Sequence, residues 1–276
     1  MAIAYLITAY DCPHHFARLI AALLDSKDAH VFVHIDAKTE LAPFRQSTRS
    51  PRVHFSDNRV LVHWGQFSMV EAVLNLMTEA LARTEAFDYL CMLSGTDYPL
   101  RGAGYIDWFF GEHAGTEFIN LAEMPSEERG KPIDRLPDDH AQRLGGLRPF
   151  GGSPWWALTR GACNHVLRFA EERSDVIELF REVRLPEESF IHTIVGNSPY
   201  AARITRNLTY VDWTREPGSA HPAILDEKHL PLLTRVPLRA GGGEHELLFA
   251  RKFPDDSESL VAQLAGQLAA DAAYRR

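Results

Sequence analysis

Short apolar runs alternate with amphipathic stretches through the first hundred residues, and this restricts the fold more than any other feature of the chain. Residues 4–8 form a continuous apolar run of strand length, and residues 13–24 place Phe16, Leu19, Ile20, Leu23 and Leu24 at helical spacing. A second strand is predicted at 31–35, ending in His34-Ile35-Asp36, and a short third at Val53 and Phe55. Val70, Val73, Leu74, Met77 and Leu81 mark a helix over 68–82, and residues 89–93 a further strand closed by Ser94-Gly95-Thr96-Asp97. Strands and helices in this order predict an α/β fold with a mostly parallel central sheet and helices on both faces. Ligands of such sheets bind beyond the carboxyl ends of the strands. Polar residues stand at three of those ends: Thr8 to Asp11, Asp36 and Asp97. Any one of them could simply cap the following helix; their recurrence is what points to a site.

At 276 residues and 45% hydrophobic content the chain can bury a full core, which excludes a disulfide scaffold, a disordered tail or a coiled-coil rod. A formal charge of -8 offers no field for a polyanion, so nucleic acid is not expected as a partner. Cys12, Cys91 and Cys163 are too scattered for a metal knuckle or paired bridges, which fits a reducing, cytoplasmic setting. No stretch approaches the ~20 apolar residues of a membrane span, and no linker or repeat divides the chain. One domain over 1–276 is expected, built of the halves 1–115 and 116–276.

The second half carries less periodicity and more chemistry. Residues 120–150 hold Asp134, Arg135, Asp138, Asp139, Arg143 and Arg148 among Pro and Gly, the composition of a long functional loop or of a solvated excursion. Then come Gly151-Gly152-Ser153-Pro154-Trp155-Trp156, where glycines permit close backbone approach and tryptophans offer flat faces for a sugar. A turn entering a buried strand would read the same. Pro186-Glu187-Glu188 is predicted to open a helix, where the dipole favours acids; a carboxylate there could also act as a general base. Near the end, Arg251-Lys252 interrupts a strand-like apolar run, so at least one cation is turned toward the interior and needs an anion, either a diphosphate or an internal acid. Leu260, Val261, Leu264 and Leu268 follow at helical spacing, able to pack on this domain or on a second subunit.

These segments, in order, resemble the family of inverting glycosyltransferases that contains the core-2/I-branching β-1,6-N-acetylglucosaminyltransferases and the peptide O-xylosyltransferases. The resemblance rests on 4–7, on Val33-His34-Ile35-Asp36-Ala37-Lys38, and on Val62-His63-Trp64-Gly65 with Ser68. It continues through 93–100, Gly151 to Trp156, 186–194 with Asn197-Ser198, and Phe249-Ala250-Arg251-Lys252-Phe253. It implies a GT-A-like fold, a UDP-sugar donor carrying N-acetylglucosamine or xylose, a glycan hydroxyl as acceptor, and inversion at the anomeric carbon.

By place in the family's motifs, Glu188 is the implied base, with Glu187 shaping its turn. Arg251 and Lys252 are implied to face the diphosphate in place of a metal, so no metal or other cofactor is expected. Asp36 is implied to contact the nucleoside and Thr8, Ala9 and Tyr10 to lie against the uridine. Trp64, Gly65, Ser68, Asp97, Ser153 and Trp156 complete the expected donor site. Pro154 stands where the animal xylosyltransferases carry an acid, so a peptide acceptor does not follow. The expected role is bacterial surface polysaccharide assembly. The alternatives are another UDP-sugar donor on the same fold, or a non-catalytic carbohydrate- or nucleotide-binding module.

Overall fold

The structure is a computed structural model that describes residues 1–128, 131–133, 136–213, 221–234, 239–240, 243–244, 246–274. The first half builds β1 (Ile3–Ala9), α1 (Pro13–Leu23), β2 (His30–Ile35), α2 (Ala42–Gln46), β3 (Val53–Phe55), α3 (Ser68–Leu81), β4 (Tyr89–Ser94), β5 (Tyr98–Pro99) and α4 (Ala103–Glu112). The second half adds β6 (Glu117–Ile119), β7 (Ala122–Glu123), β8 (Ser126–Glu128), β9 (Lys131–Ile133), α5 (His140–Leu144), β10 (Phe150–Gly151) and β11 (Trp156–Thr159). Then come α6 (Arg160–Glu172), α7 (Ser174–Glu182), α8 (Phe190–Gly196), β12 (Ile204–Thr205), β13 (Thr209–Val211), α9 (Leu230–Leu233), β14 (Arg239–Ala240), β15 (Gly243–Glu244), β16 (Phe249–Arg251) and α10 (Glu258–Tyr274).

Seven strands form the central sheet in the order β12-β6-β11-β4-β1-β2-β3. The run β4-β1-β2-β3 is parallel, and β11 is antiparallel to both of its neighbours. The α/β architecture expected from the alternation is therefore observed. It follows from the two-residue period of a strand. In β1, Ile3, Tyr5 and Ile7 face one core with α1 and α4, whereas Ala4 and Leu6 face the other with α3 and α6. The same split divides Tyr89, Cys91 and Leu93 from Leu90 and Met92 in β4. Because both faces are covered, these strands read as unbroken apolar runs rather than as alternating ones.

A second sheet, β13-β16-β5, sits at the edge of the site, with β16 parallel to β13 and antiparallel to β5. Leu260, Val261 and Leu264 of α10 bury in the core with Leu230 and Leu233, so this helix packs on its own domain; the Leu268 side chain lies outside the described set. The 120–150 segment, read as a loop, contains β7, β8, β9 and α5, elements too short for hydrophobic periodicity to register. Asp134 and Arg135 lie outside the described residues. The three cysteines are free, and no helix among the described residues is long and apolar enough to cross a membrane.

Candidate active site

The chain leaves β1 toward β2 on one side, whereas β4 lies on the other, so their carboxyl ends part and leave a crevice. An open cleft is lined there by Thr8 and Ala9 of β1 with Tyr10 and Asp11 just after it, and by Ser94 of β4 with Gly95 and Thr96 just after it. Arg251 and Lys252 close it from β16. Glycine is required at residue 95, since a Cβ there would stand 2.6 Å from the Cβ of Ala9. The Gly95 N–H donates to the Thr8 carbonyl at 2.9 Å and seals the two strand ends together.

The cations are held by main-chain bonds from Leu225 and from the segment that follows them. Leu225 N–H donates to the Lys252 carbonyl at 2.8 Å, and Phe253 N–H to the Thr96 carbonyl at 2.9 Å. Asp255 Oδ1 then accepts the N–H groups of His14 and His15, at 2.8 and 3.0 Å, and so caps the start of α1 from the far end of the chain. Arg251 turns inward: its guanidinium lies 4.3 Å over the Trp155 ring and its Nε 3.2 Å from Asp97 Oδ1. Of the two anions the sequence left open for that cation, the structure supplies the internal one. Asp97, expected in the donor site, is fully buried behind the cleft wall, where it accepts the Ser94 N–H at 3.0 Å and the Ser94 hydroxyl. Burial pushes its carboxyl above the usual range, against the pull of Arg251.

Asp36 stands one strand over from the cleft. Its main-chain N–H donates to the Ala9 carbonyl at 3.0 Å, and its Oδ1 accepts Lys38 N–H at 3.0 Å and Val62 N–H at 3.4 Å. Arg59 fixes this turn by donating to the carbonyls of Ile35, Asp36 and Thr39. Beyond Val62, the loop carries Trp64, half exposed with the Arg184 guanidinium 5.7 Å over its ring, and Gly65, whose carbonyl accepts Leu185 N–H at 2.9 Å. Ser68 Oγ closes the loop by accepting His63 N–H at 2.9 Å. The loop of Trp64, Gly65 and Ser68 thus reaches from the Asp36 turn to the turn that carries the acids.

That turn is a 3-10 turn at Pro186–Glu188, entered through Leu185 in the left-handed region (φ 57). The acids therefore precede α8 rather than occupy its first turn, as the sequence predicts. Its position is set by Gly152, whose N–H donates to the Glu188 carbonyl at 2.9 Å. A Cβ on Gly152 would fall 2.2 Å from the Asn120 carbonyl oxygen, so the glycine serves a protein contact where close approach to a ligand was expected. The Ser153 carbonyl accepts from His192 Nε2 at 2.9 Å. Trp156 does not reach the cleft: it is 3% exposed in β11 and packed in the core, and the face of Trp155 is taken by Arg251. Both rings are buried in the same core cluster, and neither is left for a sugar.

Sequence reasoning missed His15 and His192. His15, fully buried, donates from Nε2 to the Asp97 carbonyl at 2.9 Å and accepts at Nδ1 from the Ser257 hydroxyl at 2.6 Å. Burial lowers each ring to about 4, so both are neutral. Their partners are distant in the chain, and no local pattern announces them. Among the described residues no group of three or more His, Cys, Asp or Glu could hold a metal ion.

Comparison with known proteins adds a family. The family model for Core-2/I-Branching enzyme matches residues 3–233, short of the cation strand. "Xylosyltransferase oxt" of Drosophila melanogaster is 25% identical over 73% of this chain and 25% of its own length. Xylosyltransferase 1 of Rattus norvegicus is 27% identical over 70% of this chain and 26% of its own. The chain thus spans about a quarter of the length of these relatives. Among solved structures, the galactosyltransferase LgtC with donor and acceptor sugar analogs aligns at TM-score 0.43, with 10% identity over 74% of this chain and 72% of that one. Mouse xyloside xylosyltransferase 1 aligns at 0.39, with 11% identity over 90% and 97%.

Proposed function

The chain belongs to the core-2/I-branching enzyme family, and from that premise we propose that it is an inverting glycosyltransferase with a UDP-sugar donor and a glycan hydroxyl as acceptor. One observation carries the reading. The segment from Gly152 to Trp155 holds the Glu188 turn at one end, through the 2.9 Å bond to its carbonyl, and underlies Arg251 at the other. Three residues span at most ~10 Å, so the acid turn and the cationic wall are fixed relative to each other by one short strut.

In this reading the uridine lies across Thr8, Ala9, Tyr10 and Asp36, and the diphosphate meets Lys252 and Arg251. The acceptor hydroxyl gives its proton to the Glu188 carboxylate as its oxygen attacks the anomeric carbon. The bond to UDP breaks on the opposite face, and its electron pair leaves on the β-phosphate oxygen. The cations of the cleft wall stabilise that charge without a metal ion, in a site already organised to receive it. UDP-xylose and UDP-N-acetylglucosamine are the first donors to examine.

The test is calorimetric binding and UDP release with a panel of UDP-sugars, with EDTA present and then with manganese. Binding of one donor in EDTA, with slow UDP release, is the expected result. Binding that needs manganese would remove the metal-free mechanism, and absence of binding in both conditions would remove the donor assignment.

A further inference from the structure

Arg251 and Lys252 are neighbours on one wall of the cleft, yet the fold treats them differently. The Arg251 side chain is 18% exposed and clamped on both sides, by the Trp155 ring at 4.3 Å and by the Asp97 carboxylate at 3.2 Å. Asp97 is itself immobilised. Ser94 donates to its carboxylate from both main chain and hydroxyl, and His15 grips its carbonyl at 2.9 Å. Lys252 has no such counter-charge: among the described residues no carboxylate stands within ion-pair distance of its ammonium.

The geometry points to a division of labour in which Asp97 is a positioning residue: it acts on the bound diphosphate only through Arg251, orienting the guanidinium and neutralising it. This rests on the donor reading above. Two free cations side by side would repel each other when the cleft is empty and would hold the product UDP as firmly as the transition state, which slows release. A guanidinium paired to a buried carboxylate keeps its N–H donors for phosphate oxygens while adding little net charge. Lys252 then supplies the unbalanced charge that answers the leaving group. The sequence-based placement of Asp97 on the nucleotide predicts the opposite behaviour in a binding experiment, so the two are separable.

The experiment is a double-mutant cycle of Asp97→Asn and Arg251→Gln, with affinities for UDP and UMP measured by calorimetry on the full chain. UMP shares the nucleoside and α-phosphate, so the comparison isolates the β-phosphate. Asp97→Asn removes a negative charge a few ångströms behind the phosphates. It should tighten UDP about three- to tenfold, the size of a screened charge interaction at that range, and leave UMP nearly unchanged. In the Arg251→Gln background the same change should have little effect, because the guanidinium through which Asp97 acts is gone and burial then favours the uncharged carboxyl. A merely structural role would weaken UDP and UMP together and could not tighten either.

Weaker UDP and UMP binding in Asp97→Asn, persisting in the Arg251→Gln background, would show that Asp97 touches the nucleotide and would overturn the proposal alone. Unchanged UDP affinity in Asp97→Asn overturns it as well. Wild-type protein that binds neither nucleotide removes the donor reading and this proposal with it. If Arg251→Gln does not fold, the sign of the UDP change in Asp97→Asn decides by itself.

Discussion

Replacing Gly152 by alanine puts a Cβ 2.2 Å from the Asn120 carbonyl oxygen and 3.0 Å from His192 Cδ2. The oxygen belongs to main chain at the end of β6, and Asn120 is anchored by its Oδ1, which accepts Asn207 N–H at 2.9 Å. Neither side can rotate away, so one backbone must retreat by roughly 1 Å, an overpacking that costs about 1–3 kcal/mol. The retreat also stretches the Gly152 N–H bond to the Glu188 carbonyl, worth about 1 kcal/mol. Alanine regains about 0.4–1 kcal/mol by restricting the unfolded chain. The net loss is about 1–3.6 kcal/mol, which for a chain of this size lowers Tm by roughly 2–14 °C. Function should divide along the strut. UDP affinity stays near wild type, because the residues of the cleft keep their positions. Transfer falls ~100-fold, since a shift of this size in the acid turn spoils in-line attack. Calorimetric melting and UDP titration, followed by transfer kinetics, read all three. A variant that melts and turns over like wild type would refute the assignment of Gly152 as the spacer that sets Glu188.

Three other substitutions or conditions test separate parts of the mechanism. Glu188→Gln should lower transfer by about 10² to 10⁴ with UDP affinity nearly intact, as expected on loss of a general base; unchanged turnover would exclude it from proton transfer. Lys252→Ala should weaken UDP about tenfold or more while leaving uridine binding unchanged, as loss of a charge-assisted contact to phosphate requires; equal losses for both would make Lys252 structural. His15 and His192, lowered to about 4 against 6.5 in the unfolded chain, make the unfolded state bind more protons between those values. Stability should therefore fall as pH drops from about 6.5 to about 4, by up to ~1.4 kcal/mol per unit for each ring, and level off below. By NMR neither ring should titrate above pH 5; a midpoint near 6.5 for either would contradict its burial.

What the sequence made legible follows from packing. β1, β2 and β4 are covered on both faces, so their apolar runs are dense, and the predicted helix at 13–24 matches α1 to within a residue. β6, β11 and β12 are two to four residues long and gain their place from tertiary pairing, which leaves no periodic trace. The same limit applied at the site. Thr8, Ala9 and Tyr10 could be placed because strand ends of a parallel sheet define a crevice. The inward turn of Asp97 and the burial of Trp156 depended on which neighbour filled the space behind them, and that neighbour lies far along the chain. Arg251 was readable as a cation in need of an anion, but residue spacing does not show which anion stands opposite.

β16 is the middle strand of its sheet, yet among the described strands it comes last in sequence. The wall that carries Arg251 is therefore assembled from distant segments, and it exists only while β16 sits between β5 and β13. Under the proposed mechanism, a molecule whose β16 is displaced would keep the acid turn but lose the charge that answers the leaving group, and so would not turn over donor. The Asp255 clip on α1 ties down the segment that follows this strand.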